Sequence, residues 1–332
     1  MGKTQKQGGT LMQTSSKGTR SNIQKITGRT EFSVFLGLLL MGIAMSIASP
    51  YFLKTGNIFN ILNQISRYGI VSVGMALVII SGGIDLSVGY IVGLTACLSS
   101  FFSSAWGLPW YVVFVMTLGV GALIGYINGI LITKVNLIPF IVTMAMGKIL
   151  SGCTLLLTQG RPIKFDSPLA WLGKGYVGPV PVAVITMFIV IILGSIFAQK
   201  TLTGRNIYAI GNNERTAKLS GINVPTLKAL TYVITGVLCS LCGIIVAGNL
   251  SSADATLGIG YETDVIAAVV IGGVAMSGGE GTIWGSLIGA AIIGILKNAF
   301  VLLGVSAYWQ SIVIGLVIVV AVTIDKLRTN HK

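Results

Sequence analysis

Apolar residues run along this chain in long blocks separated by short polar punctuation. The blocks approach the ~20 residues that a helix needs to cross a hydrocarbon layer. They are too long and too continuous for half-buried strands. Ten spans are expected, at 32–49, 61–81, 86–104, 109–133, 138–157, 179–198, 229–249, 262–275, 283–303 and 308–325. The pattern predicts an all-α, polytopic transmembrane bundle in which some spans are broken. Ser81-Gly82-Gly83-Ile84-Asp85 separates the second span from the third, and Gly272-Gly273 with Ser277-Gly278-Gly279-Glu280-Gly281 follows the short eighth. Unwound backbone at membrane depth is tolerated only where it is buried in protein or lines a cavity. The two breaks share an apolar run, a Gly-Gly pair, a Ser-Gly turn and a Gly-spaced helix, which reads as a weak internal repeat.

Composition agrees with the pattern. Of 332 residues, 53% are hydrophobic and 9% charged, against about 25% charged in a soluble domain. The net charge of +13 changes the picture through its placement. Most of the 22 basic residues gather in three groups: Lys3 to Arg29, Lys200 to Lys228, and Lys326 to Lys332. Basic residues collect on the cytoplasmic side of membrane proteins, and an even number of spans returns the chain to its starting side. Both ends and the 199–228 segment are therefore expected in the cytoplasm, with 158–178 as the longest connection on the opposite side. The basic groups are not interleaved with aromatics on one surface, so they are not read as nucleic-acid contacts. The domain reading is a disordered basic tail over 1–30, a transmembrane domain over 31–326 and a short cytoplasmic tail over 327–332. The run from Phe32 to Ala48 lacks a small-x-small cleavage site and is read as an uncleaved first span.

Catalytic chemistry finds little to work with. His331 is the one histidine, and Cys97, Cys153, Cys239 and Cys242 all lie in apolar stretches as packing residues. No Ser-His-Asp set, paired carboxylates or metal cluster is expected. No G-x-x-x-x-G-K-[ST] phosphate loop occurs, so no cofactor is expected on this chain. Glycine is abundant, at 44 residues. Gly121, Gly125 and Gly129 lie four apart, as do Gly281, Gly285 and Gly289. Each set is expected on one helix face, where it admits a close neighbour.

The largest polar insertion is KTLTGRNIYAIGNNERTAKLSGINVP, residues 200–225. It is expected to turn at Thr203-Gly204-Arg205. A short helix over Asn213 to Leu219 follows, capped by Asn212 and ended by Gly221. Such a helix lying across the cytoplasmic face is a grip for a soluble motor subunit, and an ordinary loop is the alternative reading.

This stretch resembles the cytoplasmic coupling loop of the ribose-type sugar importer permeases of the ABC class. The resemblance continues through Val78-Ile79-Ile80-Ser81-Gly82-Gly83-Ile84-Asp85-Leu86-Ser87-Val88-Gly89 and Asn128-Gly129. It extends through Ile138-Pro139-Phe140-Ile141-Val142-Thr143 and Gly260-Tyr261-Glu262, then Ile266 to Gly273, Ser277-Gly278-Gly279 and Asn298. It covers roughly 30–326 in order. Departures at Val274-Ala275-Met276, Thr263-Asp264 and Ser151-Gly152 leave the particular sugar unnamed.

The resemblance implies a permease subunit with no enzymatic activity of its own, in a bacterial inner membrane. A separate cytoplasmic ATPase, a periplasmic substrate-binding protein and a second permease copy, identical or paralogous, are the implied partners. The coupling positions are Gly204, Arg205, Gly211, Asn212, Asn213, Glu214, Ala217 and Gly221. Asp85, Glu262 and Asp264 are membrane-level carboxylates, and such groups are functional candidates. Each also precedes or opens a helix, where an acid caps free N–H groups, and both readings stay open. Asn60, Asn63, Gln64, Asn128, Thr143 and Asn298 complete the candidate translocation path, with packing between helices as the alternative reading of Asn60, Asn63, Gln64 and Asn128. Related permeases carry signalling molecules, nucleosides or branched-chain amino acids, and a gradient-driven secondary transporter is a further alternative.

Overall fold

A computed structural model describes residues 30–330. The expected disordered tail and the end of the C-terminal tail lie outside the described residues. The described chain is helical almost throughout. In order come α1 (Thr30–Ala48), α2 (Thr55–Ile80), α3 (Val88–Ser104), α4 (Trp110–Thr133), α5 (Pro139–Thr158), β1 (Ile163–Lys164), α6 (Trp171–Lys174), β2 (Tyr176–Val177) and β3 (Val180–Pro181). Then follow α7 (Val182–Lys200), α8 (Leu202–Asn212), α9 (Glu214–Leu219), α10 (Val224–Leu250), β4 (Ser252–Ala253), α11 (Tyr261–Ile271), α12 (Ile283–Leu302) and α13 (Ala307–Asn330). Six of these, α2, α4, α5, α7, α10 and α12, are long and apolar enough to cross a membrane.

Contacts between connections sort the helix ends onto two faces. On one face, β1 pairs antiparallel with β4, Ile163 opposite Ala253. There Ser103 Oγ donates to Asp166 O at 2.8 Å, which puts the end of α3 beside the same strands. On the other face, Gly279 N donates to Ile80 O at 2.9 Å, and Tyr208 Oη donates to Gly281 O at 2.9 Å. The end of α2, the middle of α8 and the loop after α11 therefore meet there.

Glycine sets how closely the helices approach. Between lipid-facing helices there is no hydrophobic drive, so van der Waals contact holds them together. Along α4, Gly121 faces Gly236 and Ser240, Gly125 faces Tyr232 and Val233, and Gly129 faces Ala229, all on α10. Gly285 and Gly289 of α12 press in the same way on Gly272 and Ala268, at the end of α11. Gly281 departs from expectation. It precedes α12 with φ +137° and packs on Val274, because the chain is still turning there. The outer surface is apolar, with Leu123, Leu156, Leu193 and Leu316 all exposed, a surface suited to lipid rather than water.

Helix boundaries differ from the sequence reading where polar residues begin a long helix. The second helix opens at Thr55, and the seventh long one at Val224 with Pro225 in its first turn. Proline fits there because the first N–H groups of a helix have no partner in any case. The eighth span is the irregular one. Residues 252–260 run along α3 without a helix, and Leu257 O lies where a Cβ on Gly93 would stand. α11 then completes the passage in 11 residues.

Candidate functional site

The two breaks come together inside the bundle. α3 and α11 begin beside each other, with Glu262 and Gly258 against Gly89. From that point α3 climbs to the face with the β1–β4 pair, and α11 descends to the face with Gly279. Tyr261, the first residue of α11, stacks near Tyr68 of α2, with ring centroids 5.0 Å apart. Tyr68 lies roughly 18 Å from the end of α2 at 1.5 Å per residue, which sets this junction well inside the bilayer.

One polar knot forms where α2 breaks. Asp85 is fully buried. Its Oδ1 accepts from Ser87 N at 2.9 Å and from Ser87 Oγ at 2.6 Å. Asn128 Nδ2 donates to Ser87 Oγ at 3.0 Å. Leu86 N donates to Thr143 Oγ1 at 3.0 Å, and Tyr232 Oη donates to Ile84 O at 3.2 Å. Three candidate path residues, Asp85, Asn128 and Thr143, are thus gathered from α4, α5 and the segment before α3. Of the N–H groups where α3 begins, Asp85 takes that of Ser87. Ser87 takes the N-cap position, and the carboxylate folds back on it two residues away. Asp85 Oδ2 and Asn128 Oδ1 have no hydrogen-bond partner among the described residues.

A second cluster lies at Tyr261. Asp264, 4% exposed, makes an ion pair with Lys297 of α12. The Tyr68 hydroxyl sits beside the same carboxylate, and Lys297 Nζ lies 5.2 Å from the Tyr68 ring centre. Asp264 is thus held by a cation rather than spent on helix N–H groups. The Glu262 carboxylate lies beside the backbone N–H groups of Gly260 and Glu262, where α11 begins. Gly260, at φ +84°, is the N-cap, and Glu262 Oε2 is buried without a hydrogen-bond partner among the described residues.

Sequence reasoning missed Lys297, Tyr68 and Arg67. Lys297 was hidden in an apolar run next to Asn298, and only the helical register could have placed it opposite Asp264. Arg67, in the middle of α2, donates from Nε to Asn63 O at 3.2 Å. Asn298 pairs with Asn57, not previously singled out, through amide hydrogen bonds of 3.1 and 2.7 Å. Asn60 is exposed and Gln64 half-buried, and neither joins these clusters.

The 200–225 segment is built onto the face where α2 ends. Thr201 Oγ1 accepts from Gly204 N at 3.0 Å and caps α8, so the expected turn at Thr203-Gly204-Arg205 is helical. Gly204 presses against Phe197 and Ala198 of α7, while exposed Arg205 reaches Lys200 O. Gly211 fits against Ile80 O and Gly279, and the Asn212 side chain also meets Gly279. Asn212 still belongs to α8. The cap of α9 is therefore Asn213, whose extended backbone lets Oδ1 accept from Thr216 N at 2.9 Å. Glu214 pairs with Lys228 at 2.6 Å. Ala217 packs with Ile210 and Val224, and Gly221 ends the turn at φ +81°. The outward side of α9 shows Arg215, Lys218 and Leu219, the last 82% exposed. Burial raises the Tyr208 phenol above its ordinary value.

Comparison with known proteins now bears on this arrangement. A family model described as branched-chain amino acid transport system / permease component matches residues 57–322. The ribose import permease protein of Haemophilus influenzae is 41% identical, over 95% of this chain and 99% of that protein. The ribose import permease protein of Bacillus subtilis is 42% identical over 89% of this chain and 92% of its own. The galactose/methyl galactoside import permease protein of Salmonella typhimurium is 34% identical over 92% and 97%. No solved structure matches. A match over this much of the chain, with relatives aligned nearly end to end, makes the protein a multi-pass membrane permease of the branched-chain amino acid transport system / permease component family.

Proposed function

We propose that the chain is the membrane-spanning subunit of an ATP-driven importer that carries a sugar, a ribose-like monosaccharide, across a bacterial inner membrane. One observation carries the mechanism. α8 touches the last turn of α2 through Gly211 and the loop after α11 through Gly279 and Gly281. A single short helix is thus wedged under both breaks. A motor subunit gripping α9 at Arg215, Lys218 and Leu219 would move α8 with it. That movement would reach the Asp85 knot through α2 and the Asp264 cluster through α11 together.

The rest of the reading follows from this placement. A separate ATPase supplies the chemistry, a substrate-binding protein delivers the sugar on the face with 158–178, and a second permease copy completes the pathway. The contacts between connections support ten crossings, with both described ends on the face of α8 and α9. The names of the relatives favour a sugar over the amino acid in the family description. Gly204, Arg205, Gly211, Asn212, Asn213, Glu214, Ala217 and Gly221 form the coupling segment. Asp85, Asn128, Thr143, Glu262, Asp264 and Asn298 line or support the path. The test is uptake of labelled D-ribose by vesicles holding the assembled complex. Uptake is expected only with the ATPase present, and uptake that persists after its removal sinks the proposal.

A further inference from the structure

We infer that the Lys297–Asp264 pair, with Tyr68 beside it and Tyr261 against Tyr68, is a subsite that takes a neutral polyhydroxyl solute. This rests on the sugar-permease reading above and adds where, and by which groups, the solute is held in transit. The pair joins α11 to α12 deep in the bundle. Its acid is nearly sealed, yet the lysine side chain keeps a quarter of its surface open, with relative exposures of 5% and 25%. Charged side chains at that depth face the bundle interior or a water-filled cavity rather than lipid. The ammonium carries three donors and commits one to Asp264.

The chemistry of the pair selects the solute. Its charges cancel. An anion would draw Lys297 away from Asp264, and a cation would draw Asp264 away from Lys297. Either exchange leaves a buried charge without its partner. A hydroxylated neutral molecule has no such conflict, because its hydroxyl oxygens accept from the remaining N–H groups of Lys297 while Asp264 keeps its bond to the same ammonium. Tyr261, half-buried with its ring 5.0 Å from that of buried Tyr68, offers its remaining apolar surface to the C–H side of the same molecule. The contacts are few, so the solute is held briefly, as a translocation path needs.

The test is saturation-transfer difference NMR on the full chain in lipid nanodiscs, with D-ribose at millimolar concentration as the probe. The wild type is expected to give a D-ribose signal that excess L-leucine does not displace. The double variant Asp264→Asn/Lys297→Met, which leaves no lone charge, is expected to lose the signal at least fivefold with its thermal midpoint near that of the wild type. Tyr68→Phe serves as a milder second variant and is expected to weaken the signal about twofold. Three results overturn the inference: full signal in both variants, displacement by L-leucine, or no wild-type signal from a chain whose assembled complex takes up D-ribose with ATP. If that complex shows no ATP-driven uptake at all, the sugar-permease reading itself has failed, and the subsite falls with it.

Discussion

Gly211→Val is the sharpest perturbation of the coupling path. The new Cβ would coincide with Ile80 O and crowd Gly279 N and Cα. These are backbone atoms, so no flexible side chain can swing aside. Overpacking of this kind costs about 1–3 kcal/mol. Parting the loop from α2 also removes the 2.9 Å bond from Gly279 N to Ile80 O, worth about 1 kcal/mol. The two together come to about 2–4 kcal/mol against the docked position of α8. At 1.4 kcal/mol per tenfold, that is roughly a 30- to 700-fold shift away from it. The assay is ATP hydrolysed per labelled sugar taken up, in proteoliposomes holding the whole complex. Gly211→Val should insert normally and hydrolyse ATP while its uptake falls by tenfold or more. Gly119→Ala, with no atom near its Cβ, is the control and should behave as wild type. A Gly211→Val complex with wild-type uptake per ATP would refute the reasoning.

Other outcomes follow from the same contacts. Gly125→Leu would drive a side chain into Tyr232 C and Val233 Cα, 2.7 and 2.9 Å from the Cβ alone. It should lower the thermal midpoint in detergent by an amount that Gly119→Ala does not. Asp264→Asn leaves Lys297 buried without its acid and should cost about 3–5 kcal/mol, while the double variant with Lys297→Met should cost less. Strict additivity in a denaturation cycle would contradict the pairing. Asn213→Ala removes the α9 cap and should cost about 1 kcal/mol, read as reduced affinity for the ATPase at unchanged membrane level. In a Cys153→Ser background, cysteine at Arg215 should react with an impermeant thiol reagent only from the cytoplasmic side. Cysteine at Lys174 should react only from the other side.

The bundle was legible because lipid imposes a coarse rule on sequence. Any crossing must be a long apolar helix or be buried by others, so Trp110–Thr133 and Ile283–Leu302 stood out directly. The two breaks were legible for the converse reason, since Gly82-Gly83 and Gly272-Gly273 interrupt runs that nothing else interrupts. Helix starts were less so. Thr55 to Asn60 carries Gly56 and two asparagines, and its tie to α12 through the Asn57–Asn298 hydrogen bonds is visible only in the fold. The Asn212–Asn213 doublet hid the cap, because both side chains can do that work and backbone conformation chooses between them. Asp264 looked like a capping acid because its partner lies 33 residues away on another helix. A buried ion pair across helices leaves no local pattern to read. The coupling segment, by contrast, was visible as the longest polar stretch between spans, and its attachment through Gly211 and Tyr208 came only from the fold.

The most direct test of the whole account is made in sealed proteoliposomes holding the permease, its ATPase and its binding protein. ATP hydrolysis and labelled D-ribose uptake are measured together, with and without an uncoupler. The account predicts sugar accumulation that requires ATP and the ATPase and is unchanged by the uncoupler. Accumulation that collapses with the uncoupler, or continues once the ATPase is withdrawn, would contradict it.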